Sequence, residues 1–297
     1  NLAVNGSLDH VEGGTVIVAT GADFADSLSA APAAAITDGA LYLTSRTTVP
    51  AKTLAAIKAL KPSEIYIVGG TSAVSNGVSS QLLSATGVSP VRVAGANRYE
   101  TNAKVLQTFF SNQRIARAFV ATGRSYPDSL SASAVAGALD SPVVLIDGTL
   151  GKDLPSASAA LLTKQGAKEV FVVGGTSAVN STIEKNLAQS FAKVARLGGA
   201  DRYTTNLAVN NLMNDVAGSA PMTGVWIATG RDFPDALSAA PAAGDMSQRL
   251  VLSNAKCIYK PVVSGWIKGA GSGVETVTLV GGESVLPKAL MSLPECP

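Results

Sequence analysis

Val16-Ile-Val-Ala-Thr-Gly-Ala-Asp-Phe-Ala-Asp-Ser-Leu-Ser-Ala30 decides the reading of this 297-residue chain, because it occurs three times. It returns as Ala118-Phe-Val-Ala-Thr-Gly-Arg-Ser-Tyr-Pro-Asp-Ser-Leu-Ser-Ala132 and as Val225-Trp-Ile-Ala-Thr-Gly-Arg-Asp-Phe-Pro-Asp-Ala-Leu-Ser-Ala239. The marker glycines Gly21, Gly123 and Gly230 stand 102 and 107 residues apart, a period that makes each copy a small domain. Each copy opens on a short apolar run, turns at a glycine and passes into a stretch with helical spacing. That is a strand leading into a helix.

Two further boxes follow the same beat. Ile65-Tyr-Ile-Val-Gly-Gly-Thr-Ser-Ala-Val74 recurs at Val170 to Val179 and at Val277 to Leu286, and Gly95-Ala-Asn-Arg-Tyr-Glu-Thr-Asn102 recurs at Gly199 to Asn206. Asn1-Leu-Ala-Val-Asn5 matches Asn206-Leu-Ala-Val-Asn210, so the first copy of the third box stops short of its Arg-Tyr pair. The repeats divide the chain into modules 1–90 (truncated at its N-terminal end), 91–193 and 194–297. In the second, Val91 to Ala94, Ala118 to Thr122, Val143 to Ile146 and Val170 to Val173 read as buried strands. Helical patterns such as Ala103, Leu106, Phe109 and Phe110 separate them. Strand and helix in alternation predict α/β modules, each an open parallel sheet with right-handed crossovers. The first module, lacking its first strand, is expected to hold one strand fewer.

Composition narrows the function. Hydrophobic residues make up 46% and charged residues 15%, a globular balance rather than a disordered one. A net charge of +2 without a basic run argues against nucleic acid as a partner. The Ala30 to Ala35 stretch, broken by Pro32, is too short to span a bilayer, so membrane insertion is not expected. No signal peptide opens the chain, which reads as a mature or processed piece, with a further N-terminal domain admitted. A single histidine, His10, and two cysteines, Cys257 and Cys296, leave no metal cluster and no Ser-His-Asp set, so neither a metal, a cofactor nor an enzyme activity is expected. The cysteines are either two buried thiols or one disulfide, and an exported protein favours the disulfide.

The boxes lie where strands end and helices begin, the edge of an open sheet at which ligands bind. Asp23, Ser125 and Asp232 are placed as helix N-caps, with Asp26, Asp128 and Asp235 in capping-box position. Phe24, Tyr126 and Phe233 are expected to pack. The Gly-Gly boxes allow tight turns, with Ser72, Ser177 and Ser284 as caps. No P-loop lysine follows them, and Gly269-x-Gly271-x-Gly273 is a loop look-alike of a dinucleotide fingerprint. Asn97 and Asp201 cap in turn, which puts Arg98 and Arg202 in a first helical turn, where a cation opposes the helix dipole. Either a carboxylate of the same or a neighbouring module pairs with them, or an anionic ligand does. The second module carries eleven basic against seven acidic side chains and the first four against six, so electrostatic binding is expected chiefly in the second.

These boxes resemble the type 2 cell-wall-binding repeat family of Gram-positive surface proteins, S-layer proteins and wall amidases. The likeness covers essentially the whole chain. It implies three Rossmann-like modules in a pseudo-threefold trimer within one chain, non-catalytic, secreted and held at the cell wall or surface by an anionic wall polymer. Candidate ligand residues are Arg98, Tyr99, Arg202, Tyr203, Arg124 and Arg231. A surface or S-layer scaffold without its own ligand and the targeting part of a wall hydrolase are the alternatives. The family's Pro-Ile-Leu-Leu-like strand appears as Ala40 to Leu43, Pro142 to Leu145 and Arg249 to Leu252, with the proline in the second copy alone.

Overall fold

The computed structural model describes residues 13–216 and 222–296; His10 and the Asn1 to Asn5 repeat lie outside them. The first sheet consists of β1 (Thr15–Thr20), β2 (Ala40–Thr44), β3 (Glu64–Val68) and β4 (Val91–Val93), in the spatial order β2-β1-β3-β4. The second repeats this order with β5 (Arg117–Thr122), β6 (Val143–Ile146), β7 (Glu169–Val173) and β8 (Lys193–Leu197) as β6-β5-β7-β8. The third has β9 (Gly224–Thr229), β10 (Arg249–Ser253) and β11 (Thr276–Val280), ordered β10-β9-β11. Every described pairing is parallel. The inner strands read as continuous apolar runs because both faces are covered.

Nine α-helices connect these strands among the described residues: α1 (Ala25–Ile36), α2 (Ala51–Ala59), α3 (Asn76–Thr86), α4 (Arg98–Phe110), α5 (Pro127–Ala138), α6 (Ser156–Lys164), α7 (Ser181–Ser190), α8 (Arg202–Val216) and α9 (Pro234–Asp245). In the third module a π-helical turn, Pro261–Ile267, and a 3₁₀ turn, Lys288–Ser292, stand where the others have α-helices. Pro32 does not break α1, which runs through it.

One expectation is overturned. The strand at Val91 belongs to the first sheet, where Tyr66, Ile67 and Val68 pair with Val91, Arg92 and Val93. The strand at Lys193 likewise closes the second sheet beside β7. A strand that follows a helix packed on a sheet returns to the nearest open edge of that sheet. The shortfall therefore falls on the third sheet, which has three strands among the described residues, and the first has four.

The first helices of the three modules, α1, α5 and α9, pack against one another in all three pairs. Their alanines, from Ala30, Ala31, Ala33 and Ala34 to Ala239, Ala240 and Ala243, are fully buried. A Cβ on Gly137 would sit 2.7 Å from that of Ala35, so these helices approach more closely than bulkier residues allow. At their N-terminal ends Phe24, Tyr126 and Phe233 form a triangle of rings with centroids 5.7–6.0 Å apart. The aromatic residue of the first box is thus a packing residue.

Helices α4 and α8 join consecutive modules through one asparagine each. Asn102 accepts from the Leu145 N–H and donates to the Val143 carbonyl on the outer edge of β6, and it donates to Ser29 of α1. Asn206 does the same with Leu252 and Leu250 on β10 and with Ser131 of α5. Each amide completes a sheet edge that would otherwise bury unpaired backbone groups.

Candidate functional site

The capping reading of the first box is corrected. Helices α1, α5 and α9 begin after Phe24, Tyr126 and Phe233; Asp23 accepts from the Ala25 N–H as a cap does, whereas Asp232 accepts from its neighbour Phe233 N–H. Asp26, Asp128 and Asp235 do not reach back; their carboxylates lie beneath the left-handed glycines Gly69, Gly174 and Gly281, against which a Cβ would collide. Burial raises the pKa of all three above the ordinary carboxylate value. Thr101 and Arg98 counter this at Asp26, and Arg202 and Thr205 at Asp128. Ser72, Ser177 and Ser284 fall in turns ahead of the following helices, and α7 is capped instead by Asn180.

Asn97 and Asp201 do cap, each accepting from two backbone N–H groups of the first turn. The arginines that follow then leave their own helix. Arg98 donates to the Gly123 carbonyl at 2.6 Å, pairs with Asp23 at 3.6 Å and lies over the Phe24 ring. Arg202 donates to the Gly230 carbonyl and to the Tyr126 hydroxyl, and lies over the Tyr126 ring. Each arginine therefore touches two modules at once: a loop carbonyl of its own and an aromatic of the one before. For Arg98 the carboxylate partner is Asp23. Ser125 occupies the corresponding place beside Arg202, which forms no ion pair with a described residue.

The same contacts explain the marker glycines. A Cβ on Gly123 would lie 2.8 Å from the Tyr99 ring, and one on Gly230 would lie 2.7 Å from that of Tyr203. At Gly21 the nearest atom would be Leu43 Cβ at 3.5 Å, an ordinary contact. Glycine ends the strand so that an Arg-Tyr pair can lie across it.

Arg124 and Arg231 follow these glycines in the second and third modules. Arg124 holds Asp147 through two bonds, Nε to Oδ1 at 2.7 Å and Nη2 to Oδ2 at 2.9 Å. Those bonds carry the Asp147 pKa down to about 2 and raise that of Arg124. In the third module Asn254 follows β10 as Asp147 follows β6, so that carboxylate is gone. Arg231 is exposed and forms no ion pair with a described residue. In the first module Ala22 and Ser45 take the two places. Three copies of one edge thus present no cation, a neutralised cation and a free one.

Next to Gly230, whose N–H donates to the Ser253 carbonyl, lies a cavity of about 240 Å³, lined by Asp201, Tyr203, Ser253, Asn254, Cys257, Tyr259 and Cys296. Cys257 and Cys296 are disulfide-bonded with Cα atoms 5.0 Å apart and form part of its wall. Ile258 exchanges backbone bonds with Pro294 and Cys296, fixing the chain's last described residues to the same loop. A second hollow, in the first module at the starts of β1 and β2 near Gly14 and Leu60, has room for about 10 Å³, a water at most. The cavity is somewhat below the usual range for small-molecule sites, roughly 300–1,000 Å³. Sequence reading missed it because its walls come from three separate segments, Asp201 with Tyr203, the loop from Ser253 to Tyr259, and Cys296.

Among the described residues no three His, Cys, Asp or Glu side chains come together as metal ligands, and no helix is long and apolar enough to cross a membrane. Tandem parallel α/β units with ligand-accessible sheet edges define a repeat-built binding module. The chain belongs to the cell wall binding domain 2 family, whose profile matches residues 1–79, 92–184 and 196–291. It is 28% identical over 240 residues to N-acetylmuramoyl-L-alanine amidase LytC of Bacillus subtilis, a match that covers 81% of this chain and 45% of the relative. It is also 28% identical over 196 residues to the amidase enhancer of the same organism, covering 66% and 25%. Among solved structures it resembles Cwp8 of Clostridium difficile, with TM-score 0.79, 27% identity and coverage of 94% and 46%. Cwp6 of the same organism has the same fold, with TM-score 0.80, 24% identity and coverage of 95% and 44%. The chain spans less than half the length of each of these relatives.

Proposed function

We propose that this chain holds its protein to the cell wall without catalysis, by noncovalent binding of an anionic wall polysaccharide, with the third module's sheet edge as the principal site. The carrying observation is the contrast between Arg231 and Arg124: one residue is exposed with no ion-pair partner among the described residues, and the other is held by Asp147. A free arginine recognises carboxylate or phosphate through two parallel bonds, and Tyr203 and Tyr259 offer flat faces to a sugar ring. The second module's excess of basic residues contributes less than its count suggests. Arg117, Arg124 and Lys193 are all held by carboxylates of the same module.

Arg98 and Arg202, with Tyr99 and Tyr203 behind them, act first as seam residues that lock consecutive modules. On this reading the three modules form a pseudo-threefold assembly around α1, α5 and α9. The disulfide supports an exported protein, since such bonds persist in oxidising surroundings. A second reading, the targeting part of a wall hydrolase, is favoured by the likeness to a wall amidase that the chain half spans. Co-sedimentation with purified Gram-positive walls tests the main proposal. Binding should fall with salt over the range where exposed charges are screened, and be lost when the anionic polymers are stripped from the walls. Undiminished binding to stripped walls would overturn it.

A further inference from the structure

In the first two modules a strand and the box behind it complete the sheet, and the same parts recur in both. Val93 accepts from Gly69 N–H and Leu197 from Gly174 N–H, continuing the ladder into the Gly-Gly turn. Arg92 and Arg196, each one residue before the end of β4 and β8, donate to the turn's carbonyl at 2.8 Å. The helix start that follows brings Thr101 and Arg98 to Asp26, and Thr205 and Arg202 to Asp128. Strand, arginine arm, threonine and second arginine form one plug, and sheet edge, Gly-Gly turn and half-buried aspartate form its socket.

The third module keeps the socket. Gly281 has the same left-handed turn over Asp235, and β11 pairs with β9 in the same register as its counterparts pair with β1 and β5. Its other edge is paired by no described residue, and no described arginine or threonine reaches Asp235. Val277 is 37% exposed, whereas its register equivalents Ile65 and Val170 are 1% and 0% exposed. An open edge with an exposed β-branched residue is what folded proteins usually cover.

We propose that the free edge of β11, with Gly281 and Asp235, is a binding site for one more parallel strand of the β8 type followed by its Gly-x-Asp-Arg-Tyr-x-Thr box. Recognition would combine ladder bonds to β11, an arginine on the Gly281 carbonyl and a second arginine with a threonine at Asp235, a strand addition with side-chain selectivity. The first two modules supply the precedent for each contact. The site is independent of wall binding and would remain if that reading failed.

The test adds a synthetic peptide of residues 193–206 to the full chain and follows amide exchange. At saturation, exchange in residues 276–281 should slow by about tenfold or more while β3 and β7 are unchanged. A peptide carrying both Arg196→Ala and Arg202→Ala, or an Asp235→Ala chain, should lose most of this protection. Because a short peptide binds weakly, a second arm encodes residues 193–205 directly ahead of Asn1, which repeats Asn206 in sequence. That chain should protect β11 without added peptide and melt at a higher temperature. Unchanged exchange in β11 in both arms would overturn the proposal. So would protection that appears without peptide as concentration rises and tracks a dimer mass, since the occupant would then be a second copy.

Discussion

The second and third modules begin from nearly the same sequence and end at different surfaces. In the second, the sheet has four strands, Arg124 is tied to Asp147 and the acidic residue under the Gly-Gly turn has an arginine and a threonine beside it. The third has three strands among its described residues, an Arg231 with no ion-pair partner among them, a disulfide, and π-helical and 3₁₀ turns where its neighbour has α-helices. The repeat fixes a scaffold, and departures from the repeat determine which edges are available. A copy that satisfies all of its own groups has little left with which to bind.

If consecutive modules are locked by their seams, removing a seam group should cost more than removing a binding group. The largest effect is expected for Asn102→Ala or Asn206→Ala. Asn102→Ala strips the Leu145 N–H and the Val143 carbonyl of their described side-chain partner, and Asn206→Ala strips the Leu252 N–H while the Leu250 carbonyl keeps Asn210, at about 1–3 kcal/mol for each unsatisfied group. Urea unfolding should show a loss of about 2–4 kcal/mol. A change near zero would mean that the amides are not what closes these edges.

The next effect separates the first module from its neighbours. Gly123→Ala and Gly230→Ala should each destabilise by about 1–3 kcal/mol, because the added methyl meets the Arg-Tyr pair, whereas Gly21→Ala should be nearly neutral. Thermal melts of the three variants decide this, and equal losses would detach the glycines from the seam. Asp147→Asn is the reverse experiment on binding. It releases Arg124 and makes the second module's edge resemble the third's, so wall affinity should rise by about twofold to fivefold, the scale of one exposed charge contact. No gain would show that the pair does not restrain binding.

The smallest effect is in the pH profile. The Asp147 pKa is depressed, so the pair's contribution is present above the ordinary carboxylate pKa and is lost as pH falls through about 2. Asp26 and Asp128 are shifted upward by burial. Their contribution is full below the ordinary carboxylate pKa and is lost as pH rises through the raised one. Denaturant titrations of Asp26→Asn with Asp128→Asn should therefore show a flatter stability profile between the carboxylate range and neutrality. A profile identical to that of the parent would contradict the sign.

Much of the fold could be read from the sequence because the repeat marks each strand–turn–helix passage three times, and the Val, Ile and Ala runs announce strands buried on both faces. The ownership of Val91 to Val93 could not be read. A strand lying between two modules belongs to whichever sheet edge its preceding helix delivers it to, and no local pattern encodes that. The carboxylates of the first box were misread for a related reason. Asp23 and Asp26 have the spacing of a capping box, but Asp26 lies under a Gly-Gly turn more than forty positions away. At the candidate site, Arg98 and Arg202 were recognisable as misplaced against the helix dipole, and an aromatic of the preceding module with a loop carbonyl of their own is what favours them there. The difference between Arg124 and Arg231 hinges on one position, Asp147 against Asn254, that lies outside all three boxes.

The central claim is that the third module's free arginine binds the wall while the box arginines hold the modules together. Isotherms on purified walls and thermal midpoints, measured side by side for Arg231→Ala and for Arg98→Ala with Arg202→Ala, test it most directly. Arg231→Ala should weaken binding severalfold with an unchanged midpoint, and the double variant should lower the midpoint by several degrees. Full binding by Arg231→Ala, together with a double variant that melts normally and no longer binds, would contradict the account.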